Sequence, residues 1–123
     1  MRIDNRVLVA AIGIAIASLA GRAQTPKSGK DVFEARCSGC HALDRDKEGP
    51  RLGGVYGRVA GSVAGFQYSA ELSKAKLVWN DETLEKWLAD PDQLVPNNDM
   101  AFHVPNSDER RSIIQFLKSG AAK

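Results

Sequence analysis

The sequence is poor in the side chains that most often bind metals. Its 123 residues include only two cysteines and two histidines. A structural zinc ion usually takes four Cys or His ligands, and the adjacent pair Cys40 and His41 would point apart on a helix. The sequence also lacks any useful length of the apolar–polar alternation that is typical of β-strands. A structural zinc site and a sheet-based fold are therefore both disfavoured.

The sequence has no excess of either charge beyond its first 23 residues. The whole chain contains seventeen Lys and Arg residues and fifteen Asp and Glu residues. Residues 1–23 contain three of the basic residues, Arg2, Arg6 and Arg22, and one of the acidic residues, Asp4, so fourteen of each remain. A nucleic-acid surface, which needs clustered Lys and Arg, is not expected.

Only one long apolar run occurs, and it is short for a membrane span. Residues 7–20 form an apolar run of 14 residues, below the ~20 that a spanning helix needs. Arginines precede this run and small residues follow it, which predicts a secretory signal peptide over residues 1–23, cleaved after Ala23 or alternatively after Ala20. An uncleaved anchor is the other interpretation. The expected mature domain is 24–123, in a bacterial periplasm and without a stable membrane anchor.

The segment that carries chemistry is C-S-G-C-H, from Cys37 to His41. Two thiols at this spacing can each add to a vinyl group of a haem, and the histidine can then bind the iron as fifth ligand. Cys37 and Cys40 are thus predicted to hold a covalent haem c. A redox dithiol is a weaker interpretation, because no apolar strand precedes Cys37. A Cys37–Cys40 disulfide would be possible if haem were not loaded.

The rest of the sequence predicts helices joined by long loops. The apolar spacing indicates helices over residues 30–40, capped by Ser28 or Gly29, and 81–89, capped by Asn80 or Asp81 and ended by Pro91. A last helix should begin at Asn106 or Ser107 and end at Gly120. Residues 44–69 contain six glycines and form a long loop, which is expected in a small domain only if it wraps a ligand. The predicted fold class is all-α.

The function depends on whether the protein supplies a second ligand to the haem iron. A filled sixth position suits electron transfer, and an open one suits gas binding or peroxide chemistry. Met100, the sole methionine beyond the predicted signal peptide, follows His41 by 59 residues. Its thioether would favour the ferrous state and raise the reduction potential. His103 would instead give a bis-histidine haem of lower potential. Spacing alone does not separate the two.

From residue 30 to residue 118 the sequence resembles the class I cytochrome c family of the mitochondrial and alpha-proteobacterial kind. The matching segments are CSGCH, EGPRLGGVYGRVAG, GFQYS, Trp79, ETLEKWLADP and VPNNDMAF. The resemblance implies a small cytochrome c fold of three to five helices and long loops around one covalently attached haem. It also implies Met100 as sixth ligand and His103 as a surface residue.

Further residues gain expected roles from the same resemblance. Gly49 should let the backbone approach the haem, and the Pro50 carbonyl should accept the Nδ1–H of His41, fixing the orientation of the ring. Leu52 should pack on the proximal side of the haem. Three residues match positions that surround a buried propionate, whose charge needs paired donors: Arg58, Tyr68 and Trp79.

The sequence also departs from the family pattern. Trp87 replaces a tyrosine that commonly supports the methionine sulfur, and its indole can donate a hydrogen bond but not accept one. Asn98 replaces a threonine and is expected to donate to a propionate. Asp92 and Asp99 replace lysines of the mitochondrial relatives. We therefore expect docking that depends less on charge, or a partner with a different charge pattern.

The expected function is that of an electron-transfer protein rather than an enzyme. Such a carrier would shuttle single electrons between periplasmic respiratory or dehydrogenase partners, which it would dock transiently as a monomer. The alternative is a haem protein with an open or labile sixth site, used for gas binding or peroxide chemistry. Met100 favours the carrier.

Overall fold

The protein is all-α, as predicted. A computed structural model describes Gly21, Thr25 and residues 27–123, so the predicted signal peptide lies almost wholly outside the described residues. Five α-helices and one 3₁₀-helix follow in this part of the chain: α1 Gly29–Cys37, α2 Ala70–Lys74, α3 Asp81–Ala89, α4 Pro91–Leu94, α5 Ser107–Lys118 and the 3₁₀-helix Gly120–Ala122. Within these residues no helix is both long and apolar enough to cross a bilayer.

Side-chain caps start the three longer helices where the sequence predicted them. Ser28 accepts from the backbone N–H of Asp31, whose carboxylate accepts in return from Ser28 N. Asn80 and Thr83 form the same reciprocal pair at α3. Asn106 caps α5. Each cap satisfies N–H groups that have no partner within the helix.

Two short helices were missed, and one helix end was placed wrongly. The predicted first helix was extended to residue 40, but α1 ends at Cys37. Pro91 does not simply end a helix: α3 ends at Ala89, and Pro91 begins α4. Proline lacks an N–H and suits the first turn, where Asp90 caps the N–H of Gln93. Both missed helices, α2 and α4, are too short to show apolar periodicity.

The crossing of α1 and α5 fixes the end of α1. The rings of Phe33 and Phe116 lie 5.1 Å apart, between centroids. Arg36 donates two hydrogen bonds to the carboxylate of Glu109, at 2.8 and 3.0 Å. Because this crossing holds the last turn of α1, it also fixes where Cys37 begins the C-x-x-C-H segment.

The long loop after His41 is tied to the segment that carries Trp79. Val59 and Val78 form an isolated antiparallel bridge. Gly57 N donates to Trp79 O at 2.7 Å, and Trp79 N donates to Arg58 O at 2.9 Å. Described residues 27–123 contain no strand beyond this bridge. The loop therefore gains its fixed path from a few backbone hydrogen bonds.

Candidate haem site

The two cysteines lie on a tight turn that leaves α1. The N–H groups of Cys40 and His41 both donate to Cys37 O, at 3.1 and 2.8 Å. Both thiols are free; Cys37 is partly buried and Cys40 is exposed. Burial, with the proximity of Cys40 as a second cause, raises the pKa of Cys37 to about 11. A redox dithiol needs a lowered pKa, so this environment does not favour the dithiol interpretation.

The orientation of His41 is fixed by one hydrogen bond. Its Nδ1 lies 2.8 Å from the Pro50 carbonyl oxygen, which only accepts, so Nδ1 carries the hydrogen. Nε2 lies outside this bond and keeps its lone pair. Burial lowers the pKa of His41, against a smaller opposing effect of the bond to Pro50. The ring is therefore neutral at pH 7, the form that binds iron.

Gly49 lies against the ring of His41, a contact that was not predicted from the sequence. A Cβ atom at this position would overlap the His41 ring and lie 2.6 Å from Nδ1. The Gly49 backbone therefore approaches the imidazole of His41 closely, while its approach to a haem stays a prediction. Only the absence of a side chain lets His41 sit directly on the 49–50 backbone.

Met100 is held from two sides. It lies in the loop between α4 and α5. The indole N–H of the buried Trp87 on α3 donates to Met100 Sδ at 3.1 Å. The backbone N–H of Met100 donates to Asn98 Oδ1 at 2.7 Å. A thioether sulfur has two lone pairs, so it can accept this bond and still ligate iron.

Asn98 acts within the loop. Its Nδ2 donates to Val95 O at 2.9 Å and to Asp92 Oδ1 at 3.3 Å. An amide NH₂ has two hydrogens, and these two contacts use both. The side chain thus joins α4 to the backbone of Met100; its donation to a propionate stays a prediction.

Arg58 lies where an anion would be stabilised. Its guanidinium donates to Gly53 O at 3.3 Å and to Arg51 O at 3.0 Å. Burial lowers the pKa of Arg58, and the nearby Tyr68 acts in the opposite direction. Arg58 forms no ion pair within the part of the chain that the structure describes. A part-buried cation held only by carbonyls is a suitable environment for a carboxylate such as a haem propionate.

Three more residues were expected next to the haem: Tyr68, Trp79 and Leu52. Tyr68 Oη accepts from Val63 N at 3.0 Å, which leaves its own proton to donate. Trp79 is buried, with its ring 5.3 Å from that of Trp87. Leu52 is partly buried and packs against the apolar core.

His103 is exposed. It stands between the exposed Phe102 and Val104, whose backbone N–H donates to Leu88 O at 2.7 Å. Asp92 was predicted only as a surface charge, but its carboxylate accepts hydrogen bonds from Asn97 and Asn98 in the loop before Met100. The two asparagines that follow Pro96 were the signal for such a bond, because Asn is typical of turns that are closed by side chains.

The described residues contain no group of three or more His, Cys, Asp and Glu side chains that could hold a metal ion. The side chains instead fit an iron porphyrin with propionates. The two free thiols could attach it, His41 and the Met100 sulfur could bind its iron, and Arg58 could neutralise a propionate. The helical fold and this donor set define a class, the small all-α haem proteins.

Known proteins place the chain within that class. Residues 26–121 match the cytochrome c family. The chain is 37% identical over 98 residues to cytochrome c of Chlamydomonas reinhardtii, a match that covers 76% of this chain and 88% of that protein. It is 42% identical over 86 residues to cytochrome c2 iso-2 of Magnetospirillum molischianum, covering 68% and 89% of the two chains. The structure of cytochrome cH from Methylobacterium extorquens superposes with a TM-score of 0.69 at 36% identity, covering 73% of this chain and 93% of that one.

This chain belongs to the cytochrome c family. The predicted class I cytochrome resemblance and the predicted fold are thereby confirmed. Family membership implies one covalently bound haem c with its iron. The protein is an electron carrier rather than an enzyme, and such carriers dock transiently to redox partners.

Proposed function

We propose that this protein is a one-electron carrier in which His41 and Met100 are the two axial ligands of a haem attached to Cys37 and Cys40. The observation that carries the proposal is the hydrogen bond from Trp87 to Met100 Sδ, at 3.1 Å. A methionine that only filled the core would not need a buried donor aimed at its sulfur. The bond holds the sulfur in one place, which a stable sixth ligand requires.

The bound haem supplies the redox couple, an iron that alternates between ferric and ferrous states. The residues of the chain set its properties. His41 offers Nε2 because Pro50 holds Nδ1–H, and that bond also raises the basicity of the ring. Met100 offers a soft, neutral donor that favours the ferrous state. With both positions filled, oxygen and peroxide have no free site.

We propose that Arg58, Tyr68 and Trp79 surround one propionate. The support is the part-buried guanidinium of Arg58 and the free hydroxyl proton of Tyr68. Leu52 supplies apolar contact on the side of His41. Together these groups would compensate a buried carboxylate, which is costly without donors.

The proposed site of action is a bacterial periplasm, with respiratory complexes or periplasmic dehydrogenases as partners. The support is the sequence of residues 1–23, which lie outside the described residues apart from Gly21. The expected mature chain is the monomeric domain 24–123. N-terminal sequencing of the protein from the cell envelope tests this: a start at Gln24 agrees with the proposal, and a start at Met1 contradicts it.

Carbon monoxide tests the carrier against the alternative of gas or peroxide chemistry. The reduced holoprotein is exposed to CO at pH 7, beside Met100→Ala and His103→Ala. We expect rapid binding only in Met100→Ala, because only that change opens the sixth position. Rapid binding by the unchanged protein would contradict the proposal, and rapid binding by His103→Ala alone would identify His103 as the ligand.

A further inference from the structure

A set of hydrogen bonds links helix α4 to the backbone of Met100. Asp92 Oδ1 accepts from Asn97 N at 3.1 Å and from Asn98 Nδ2 at 3.3 Å. Asn98 Oδ1 then accepts from Met100 N at 2.7 Å. The bonds thus run without interruption from the carboxylate to the residue that carries the sulfur.

We propose that Asp92 is a positioning residue that keeps Met100 on the iron by closing this loop. The inference rests on the proposed function. It gives a different role to an acidic residue that the sequence placed among partner-binding charges. Asp92 forms no hydrogen bond to the Met100 sulfur within the described residues and would act through Asn97 and Asn98.

Asp92 is well placed for this role because its own helix is fixed. Asp90 caps α4 through Gln93 N at 3.2 Å, and the buried Pro91 presets the backbone of its first turn. Val95 N closes the helix by donating to Pro91 O at 2.9 Å. The carboxylate therefore projects from a short but well-anchored element.

The segment that Asp92 holds includes a residue with a positive φ angle. Asn97 has φ +61°, in the left-handed region that non-glycine residues rarely adopt. Its N–H is one of the two groups that Asp92 binds. A charged acceptor gives stronger hydrogen bonds than a neutral one. Loss of Asp92 should therefore release the turn three residues before Met100.

The hydrogen bond from Trp87 holds the sulfur, and the network from Asp92 holds the backbone. If the hydrogen bonds from Asp92 are lost, Met100 should leave the iron more often while the helical core stays intact. An external ligand would then bind faster. Asp92 would thus help to decide between a closed carrier and an open haem.

Asp99 provides a matched control. It is an exposed acidic residue in the loop that carries Met100. Within the described residues it accepts no hydrogen bond from a side chain and joins no ion pair. Asp99→Ala removes the same charge as Asp92→Ala but none of the bonds. A difference between the two variants therefore reports the bonds alone.

The experiment measures imidazole binding to the ferric holoprotein at pH 7. We expect Asp92→Ala to bind about tenfold faster than the unchanged protein, from the loss of two hydrogen bonds to a charged group. Asp92→Asn keeps one acceptor oxygen and should lie between. Asp99→Ala should stay within about twofold of the unchanged protein. Equal acceleration in Asp92→Ala and Asp99→Ala would overturn the proposal, because charge alone would explain it.

Amide hydrogen exchange separates this inference from the proposed function. In Asp92→Ala the amides of Asn97 and Met100 should exchange faster, with those of α1 and α5 unchanged. Unchanged loop exchange, or faster exchange throughout the protein, would overturn the role of Asp92. If the unchanged protein lacked methionine ligation, the proposed function would fail, whereas exchange would still decide whether Asp92 closes the loop.

Discussion

At the scale of single residues, Gly49 lies directly beneath the imidazole of His41. We expect Gly49→Ala to push the ring or the Pro50 carbonyl aside, because the new Cβ would lie 2.6 Å from His41 Nδ1. The cost should be about 1–3 kcal/mol of holoprotein stability, with a change in the optical spectrum. Denaturant titration measures it. Gly39→Ala, whose Cβ meets nothing within 4 Å, is the control, and equal effects of both changes would contradict the account.

Trp87 is expected to tune the reduction potential. Its N–H draws electron density from Met100 Sδ, so the sulfur stabilises ferric iron less. Trp87→Phe should lower the reduction potential by about 30 mV. In a one-electron couple this shift corresponds to a free energy somewhat smaller than that of one hydrogen bond. Redox titration followed optically measures it. Trp87→Tyr restores a donor and should recover part of the change; an unaltered potential in Trp87→Phe would show that the bond has no such effect.

At the scale of elements, Glu109 on α5 holds α1 through Arg36. This hydrogen-bonded pair lowers the pKa of Glu109 below its ordinary value of 4.5. A lowered pKa means that the carboxylate stabilises the fold above pH 4.5 and that this contribution disappears as the pH falls through the folded-state pKa. Glu109→Gln should therefore be less stable than the unchanged protein at pH 7 but no less stable at strongly acidic pH.

Thermal melting of both proteins across this pH range measures the effect. Glu34→Gln is the control, because Glu34 is exposed and, among residues 27–123, forms an ion pair only with Lys30, at 3.7 Å. A pH-independent difference between Glu109→Gln and the unchanged protein would show that the charge of Glu109 does not link the helices.

The elements also show what sequence can and cannot predict. Asn80, Asn106 and the apolar spacing after them located α3 and α5, since caps and periodicity are local signals. The two short helices lacked periodicity and were missed. Within the candidate site, the C-x-x-C-H segment was readable because its ligands are adjacent. The contacts of Gly49 and Asp92 could not be predicted in this way. Each depends on the path of the backbone through a turn, which the sequence pattern does not determine.

At the scale of the whole molecule, the full chain carries a net charge of +2, and the proposed mature chain carries none. Residues 24–123 carry fourteen basic and fourteen acidic side chains; Asp92 lies on α4, and Asp99 lies in the loop that carries Met100. Salt screens charge steering over about 10 Å. We expect oxidation by a mitochondrial-type oxidase to depend less steeply on ionic strength than that of a lysine-rich cytochrome c. Stopped-flow rates over a salt series measure this, and an equally steep dependence would contradict it.

The most direct test of the central claim is the optical spectrum of the ferric and ferrous holoprotein, extended to the near infrared. We expect a weak ferric charge-transfer band in that region, the marker of methionine sulfur on iron, together with a sharp low-spin ferrous α band. The band should vanish in Met100→Ala and persist in His103→Ala. A low-spin spectrum without the band, or a high-spin spectrum, would contradict ligation by Met100.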